Sequence, residues 1–243
     1  MFFGLSHKLP EGIFKGAVDV HCHLLPGVDD GFATMEKSLH ALQKLEEHGV
    51  KKMVLTPHFM NDYPDNDRAN ISAKFEAYKA EAAKVCGIEL HLAAEYMLDA
   101  RFPEHFKQGF LTLDKEGTHV LCETSYLMYE HGISEMLYDV MCADYQPVIA
   151  HPERYEYANK DVYYRWKDKR YKFQLNLLSL GGAYGRAAVA KAKYLLKEGF
   201  YDYVGSDMHG LNNFERFLPE IRLSGKNIEQ LEWLIENNKK LVG

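Results

Sequence analysis

The stretch Asp19-Val20-His21-Cys22-His23-Leu24-Leu25-Pro26-Gly27-Val28-Asp29-Asp30-Gly31 decides how the chain is read. Val18 and Val20 open an apolar run that frames two histidines at spacing i, i+2. Side chains two apart in a strand share a face, so His21 and His23 point the same way. Pro26-Gly27 and Asp30-Gly31 mark a turn, which puts the pair at the C-terminal end of a strand with a loop behind it. Two imidazoles on one face, with carboxylates next in the loop, make half of a metal site. One such pair is not specific, because surface and core histidines are common.

The same arrangement recurs along the chain. Residues 17–23 form the first strand, and Met35, Leu39, Leu42 and Leu45 follow at helical spacing, closed by Gly49. Lys52-Met53-Val54-Leu55-Thr56 reads as a buried strand stopped by Pro57-His58. After a loop over 59–66, a helix over about 67–86 ends before Gly87, and Ile88 to Ala94 is a third strand ending at Glu95. Residues 96–117 read as short helical turns and a hairpin. Thr118 to Cys122 is a strand ending at Glu123, followed by an aromatic loop over 124–131 and a helix over 133–143. Gln146 to Ala150 ends at His151, and an amphipathic helix is expected over 155–169. Lys172 to Asn176 is the next strand, followed by a glycine loop over 180–185 and a helix to about Lys197. Tyr201 to Gly205 is the last strand, ending at Ser206-Asp207-Met208-His209, and residues 228–241 close the chain as a helix.

Strand and helix alternate about seven times without a linker, repeat or low-complexity break. That predicts one parallel βα barrel over residues 16–243, preceded by an extension over residues 1–15. The 243 residues and 47% hydrophobic content suit such a barrel. A net charge of −6 with no basic block argues against sequence-independent nucleic-acid binding. The four cysteines form no C-x-x-C pair, which is the pattern of reduced thiols. The N-terminus lacks a signal-peptide layout and no apolar run approaches 18 residues. The expected location is therefore the cytoplasm, without direct membrane insertion. Residues 1–15 and the helix beginning near 34 are the candidate surfaces for an oligomer.

Polar residues able to bind metal follow strand after strand: His21 and His23, Asp30, His58, Glu95, Glu123, His151, and Asp207 with His209. In a βα barrel these positions converge on the C-terminal rim. Each taken singly reads equally well as a loop residue facing water; the recurrence on successive strand ends does not. His7, His40, His48, His91, His105, His119 and His131 fall outside the set and read as surface or core histidines. Mixed imidazole and carboxylate donors suit manganese, iron or zinc without discriminating among them.

These motifs resemble the PHP (polymerase and histidinol phosphatase) superfamily, and within it the bacterial protein-tyrosine phosphatases of capsule and exopolysaccharide loci. The resemblance is carried by D-V-H-C-H-L-L-P-G-V-D-D-G at 19–31, T-P-H at 56–58, Glu95, H-P-E-R at 151–154 and S-D-M-H at 206–209. They span nearly the whole chain in the family's order. The resemblance implies a distorted (β/α)7 barrel with three divalent ions at its rim, manganese first. It implies that His21, His23, Glu95 and Asp207 hold one ion, that Glu95 bridges to a second completed by Glu123 and His151, and that Asp30, His58 and His209 hold the third. Glu123 stands where many relatives have a histidine, which favours the tyrosine-phosphatase branch. Phe59 departs from relatives with a second histidine after T-P-H, which puts substrate contacts there in doubt.

Arg154 follows His151 closely enough to reach the same rim, where a guanidinium can fork two phosphate oxygens. The alternative is a salt bridge with Glu153 or Glu156. Arg216 is a second phosphate clamp by resemblance, or else a charge on a helix surface. Tyr63, Tyr126, Tyr129, Tyr155 and Tyr184 crowd the rim, where they can stack on an aromatic substrate or pack loops onto the barrel. Strand alternation turns Cys22 away from the metals, and no cysteine has an arginine six residues on, which excludes a cysteine-based phosphatase loop. No P-loop or G-x-S-x-G motif appears.

The leading expectation is a metal-dependent phosphomonoesterase acting on phosphotyrosine in proteins. The resemblance implies that its partner is the Tyr-rich tail of a bacterial tyrosine kinase of polysaccharide export. The alternatives are a small-molecule phosphatase, for instance for histidinol phosphate, and a non-catalytic metal-binding scaffold, which would show broken ligand positions.

Overall fold

The computed structural model describes residues 6–129 and 132–243. The first five residues of the extension and His131 lie outside the described residues. The elements run β1 (His7–Lys8), β2 (Val18–Cys22), α1 (Met35–Glu47), β3 (Lys52–Leu55), β4 (His58–Phe59), α2 (Arg68–Ala82), β5 (Glu89–Leu92), β6 (Glu95–Met97), α3 (Phe102–Gln108) and β7 (His119–Glu123). They continue as α4 (Ile133–Cys142), β8 (Gln146–Ala150), α5 (Lys160–Asp168), β9 (Lys172–Asn176), α6 (Gly185–Lys197), β10 (Tyr203–Gly205), α7 (Leu211–Phe217), β11 (Arg222–Leu223) and α8 (Gly225–Val242).

Parallel pairing follows chain order. One sheet has the order β2-β3-β5 and the other β4-β6-β7-β8-β9-β10. They are two parts of one cylinder. Pro57, which has no N–H to offer a ladder, separates β3 from β4, and Ala93-Ala94 separates β5 from β6. The bonds Ala93 N to Leu55 O (2.8 Å) and Glu95 N to Pro57 O (3.1 Å) carry the pairing across the break. The last stave returns to the first through Asp207 N to His21 O (2.8 Å) and His23 N to Met208 O (3.1 Å). Seven staves result: β2, β3 with β4, β5 with β6, β7, β8, β9 and β10. The distorted seven-stranded αβ barrel expected from sequence is thus present, with two of its staves broken.

Two apolar layers hold it. Inside, Val18, Val20, Val54, Ala93, Leu121, Val148, Ala150 and Tyr203 pack with Leu241 and Val242 of α8, which stoppers the N-terminal end. Outside, Met53, Leu55, Ile149, Phe173 and Leu175 meet the helices. Helix α2 shows the matching periodicity, burying Ile71, Phe75, Tyr78 and Ala82 and capping its first turn with Asp67. Asn238 ties α8 to the staves, donating to Val18 O (2.8 Å) and Val204 O (2.6 Å).

Some expectations change. The helix expected over 155–169 starts at Lys160, because Asn159 caps it and Tyr155 is drawn inward to donate to Ala150 O (2.8 Å). The 96–117 segment contains α3 and, among the described residues, no hairpin. Residues 211–217, for which the sequence pattern predicts no element, form α7. In the extension, β1 pairs antiparallel with β11. Among the described residues, no helix is long and apolar enough to cross a membrane.

Candidate metal centre

Strand β2 carries the device that builds the site. Asp19 is opposite Met53 and Cys22 opposite Leu55, so three steps of β2 match two of β3. This is a β-bulge, and it lets consecutive residues face the same side. Val18 and Val20 lie in the inner apolar layer, yet His21 and His23 also face inward while Cys22 joins the outer core. Simple alternation would have put the histidines on the face opposite the valines. Asp19 holds the bulge: its Oδ1 accepts from His21 N (3.2 Å) and from Ser206 N (2.9 Å), joining the first stave to the last. Gly205 makes the necessary room, since a Cβ there would meet the His21 Cβ at 2.5 Å.

The other strand ends deliver their donors by alternation or by local strain. Glu95 follows inward Ala93 by two, and Glu123 follows inward Leu121 by two. His151 directly follows inward Ala150 and reaches the centre through a left-handed backbone, φ 32°; Asp207 is also left-handed, φ 50°. Such strain in non-glycine residues persists only where the surroundings enforce it.

All nine expected residues meet at this rim. His21 Nε2 lies 3.2 Å from His23 Nε2 and from Glu95 Oε2, and 3.3 Å from Asp207 Oδ1. His23 Nε2 is 3.3 Å from the same two oxygens. Five of the six edges of a donor tetrahedron are therefore 3.2–3.3 Å. Four ligands at about 2.0–2.1 Å from one ion would be spaced by about 3.3–3.4 Å, so the quartet fits a cation. Glu95 turns its other oxygen, Oε1, to His151 Nε2 at 2.9 Å, and Glu123 Oε1 stands 3.6 Å from that nitrogen. Asp30 Oδ1 is 3.2 Å from His209 Nε2 and 3.4 Å from His58 Nε2. His58 also places Nδ1 3.2 Å from Glu95 Oε2, so it offers one nitrogen to each of two donor groups. Among the described residues, four of the seven buried polar atoms without a hydrogen-bond partner lie here: His58 Nδ1, Glu123 Oε2, His151 Nδ1 and Asp207 Oδ1. Such orphaned polar atoms are costly in a protein interior, and bound cations would satisfy those aimed at the centre.

Charge is arranged to the same end. Burial opposes ionisation of His21, yet Glu95 and Asp207 outweigh it and raise its pKa to about 9. Burial and the neighbouring His23 lower His58 to about 4, and burial with Arg154 lowers His151 to about 4. Burial and the charge of Glu95 hold Glu123 well above the ordinary carboxylate range. Asp207 stays well below it: burial is outweighed by His21, His23 and their neighbours.

A supporting shell orients these donors. His23 Nδ1 donates to Asp29 Oδ2 (2.9 Å), and the same oxygen accepts from His58 N (3.1 Å). Gln174 Oε1 accepts from His21 Nδ1 (2.9 Å), and Asn176 Nδ2 donates to Asp207 Oδ2 (2.6 Å). Partners of this kind set the tautomer and aim of a ligating imidazole. Gln174 and Asn176 repeat the i, i+2 spacing of His21 and His23 near a strand end, a signal the sequence did carry.

The arginines divide. Arg154 donates from Nη1 to Asp207 Oδ2 (2.6 Å), not to Glu153 or Glu156. Glu153 instead accepts from Asn176 N (3.0 Å) and Tyr201 Oη (2.9 Å). Arg216 is exposed on α7 with its guanidinium 5.0 Å from the Phe217 ring, and among the described residues it makes no contact with the cluster. Phe59 packs against Tyr96 and His105, away from the centre. Of the rim tyrosines, Tyr126 and Tyr184 flank Arg154, Tyr63 stacks near His58, and Tyr155 is buried.

This geometry can be set beside known proteins. The chain is 25% identical over 236 residues to tyrosine-protein phosphatase YwqE of Bacillus subtilis, with 93% of this chain and 91% of that protein covered. It is 26% identical over 221 residues to tyrosine-protein phosphatase CpsB of Streptococcus agalactiae, covering 84% and 87%. Its fold is shared with a crystal structure from work on YwqE and on CpsB of Streptococcus pneumoniae, described as metal-dependent tyrosine phosphatases. The TM-score is 0.77 at 22% identity, over 93% and 94% of the two chains. A phosphotriesterase homology protein from Escherichia coli is more distant, with TM-score 0.59 at 14% identity over 94% and 99%. The model of the capsular polysaccharide synthesis CpsB/CapC family matches residues 17–231, and the chain belongs to that family.

Proposed function

We propose that this protein is a metal-dependent phosphomonoesterase that hydrolyses phosphotyrosine in proteins. The observation that carries the reading is Glu95, whose two buried oxygens engage separate donor groups, His21 with His23 on one side and His151 on the other. A carboxylate so divided suits a bridge between cations. In the proposed assignment His21, His23, Glu95 and Asp207 hold one divalent ion, Glu95, Glu123 and His151 a second, and Asp30, His58 and His209 a third, with manganese the favoured metal. Ions held there would supply an activated water at neutral pH and neutralise phosphate oxygens. The P–O bond to the phenolic oxygen breaks, water supplies the new oxygen on phosphorus, a proton from that water goes to the phenolate, and the dephosphorylated tyrosyl side chain and inorganic phosphate are released.

The chain's own groups then have distinct tasks. Gln174 and Asp29 keep Nε2 of His21 and His23 aimed at the centre. Arg154 presents cationic N–H groups to phosphate oxygens beside Asp207. Residues 16–243 form the catalytic barrel and residues 1–15 its extension. Protein substrates are favoured by the names of the relatives and by the open rim: the Asp30 side chain is 59% exposed, and Leu127 and Met128, just beyond Tyr126, are 68% and 62% exposed. The proposed partner is the Tyr-rich tail of a bacterial tyrosine kinase of polysaccharide export, met in the cytoplasm.

The test is phosphate release by manganese-loaded protein from a phosphotyrosyl peptide and from histidinol phosphate at equal concentration, each repeated after chelation. Preference for the peptide, lost on chelation, is expected. Preference for histidinol phosphate would overturn the substrate assignment, and full activity after chelation would overturn the metal chemistry.

A further inference from the structure

Arg154 lies between two aromatic rings. The centre of its guanidinium is 4.0 Å from the Tyr184 ring centroid and 4.5 Å from that of Tyr126. The rings come from separate segments, Tyr126 from the loop after β7 and Tyr184 from the turn entering α6. Each hydroxyl is anchored on a different carboxylate: Tyr126 donates to Glu123 Oε1, and Tyr184 donates to Asp207 Oδ2 at 3.4 Å. Arg154 Nη1 donates to that same Asp207 oxygen. Among the described residues, the remaining N–H groups of the guanidinium have no partner.

A planar cation between two rings keeps its plane, and aromatic faces attract it. An arginine free on a rim would lose rotamer entropy on gripping an anion; one already stacked lost it during folding. We infer that Tyr184, with Tyr126, is a positioning residue that holds the plane of Arg154 for a phosphate, and that the ring of Tyr184 does so rather than its hydroxyl. The inference rests on reading this rim as a phosphate-handling centre.

The experiment measures inorganic phosphate binding to the metal-loaded full chain by calorimetry, with metal content and steady-state kinetics alongside. Tyr184→Phe keeps the ring and is expected to bind within about twofold of the unchanged protein, whereas Tyr184→Leu is expected to bind about five- to tenfold more weakly. Tyr184→Met, which fills similar space without a π face, should behave like Tyr184→Leu and guards against misfolding of the smaller variant. Metal content should be unchanged in all three. In an Arg154→Ala background, Tyr184→Leu should add nothing, since its effect passes through the arginine.

Equal phosphate binding by Tyr184→Leu, or an undiminished effect in the Arg154→Ala background, would overturn the clamp while leaving the phosphatase reading intact. A loss in Tyr184→Phe as large as in Tyr184→Leu, or loss of metal, would overturn it by assigning the effect to the hydroxyl on Asp207. An unchanged protein that holds metal but neither binds phosphate nor releases it from esters would overturn the reading of the site itself.

Discussion

At the N-terminal end of the barrel, Val18, Val20, Val54, Leu121 and Val148 fill the interior, and Leu241 and Val242 close it. At the C-terminal end, the same staves bury His21, His23, Glu95, Glu123, His151 and Asp207. The lower region follows elementary rules: alternation, apolar contact and satisfied backbone. The upper region departs from them through a bulge, two left-handed residues and polar atoms without partners. Burial stabilises the first region and strains the second, so stability and chemistry are separated along the strands.

The largest expected effect tests that separation from above. Glu95→Gln removes the divided carboxylate and should lower phosphatase activity by about a hundredfold or more, with loss of bound metal, since even outer partners of a ligand are worth about ten- to a hundredfold. Elemental analysis and steady-state kinetics together check it. From below, Leu121→Ala opens the floor and should cost about 2–5 kcal/mol in urea unfolding while leaving metal stoichiometry unchanged. Metal loss in Leu121→Ala would break the comparison.

A smaller effect sits on the boundary. Gly205 has no side chain because His21 occupies the space, and an added Cβ would also come 2.9 Å from Gln174 Nε2. Gly205→Ala should therefore disturb both regions, costing about 1–3 kcal/mol of stability and weakening metal binding. Calorimetric titration with manganese beside thermal unfolding would show both losses.

The smallest effect sharpens the comparison by sign. In chelated protein, His21 has a folded pKa of about 9 against 6.5 for a free imidazole, and Glu123 is also raised. Between pH 6.5 and 9 the folded state therefore binds more protons than the unfolded state, and stability falls as pH rises through that window. Metal competes with protons for the same groups, so metal affinity should rise over the same window. Melting temperatures of chelated and loaded protein at pH 7 and 9 should thus diverge; parallel shifts would show that the rim does not control the response.

The reading of the rim shows how far residue pattern reaches. In the sequence most of the nine residues stand just past an apolar strand run, and that placement is a local property, although in the fold His58 and Glu95 open β4 and β6 and Asp30 lies well into the loop after β2. The barrel, the gathering of the nine residues at one rim and the turn of Cys22 into the outer core were therefore legible. The partners were less so. Arg154 pairs with Asp207, 53 residues away, in preference to Glu153 and Glu156 beside it, because the turn at Pro152–Arg154 carries it across the rim. Arg216 has a clamp role only by resemblance, and α7 holds it on an exposed face, which is its other reading as a helix-surface charge.

What the sequence by itself determined is the period of the elements and the chemical character of each strand end. Both depend on neighbours a few residues apart. What only the tertiary structure decided is which faces those residues share. The Asp19–Ser206 bond spans 187 residues and holds the bulge that turns His21 inward beside Val20. Left-handed His151 and Asp207 persist because bonds from other staves hold them. Closure of the seven staves brings those distant groups within hydrogen-bond reach, and hydrogen bonds act only at that range.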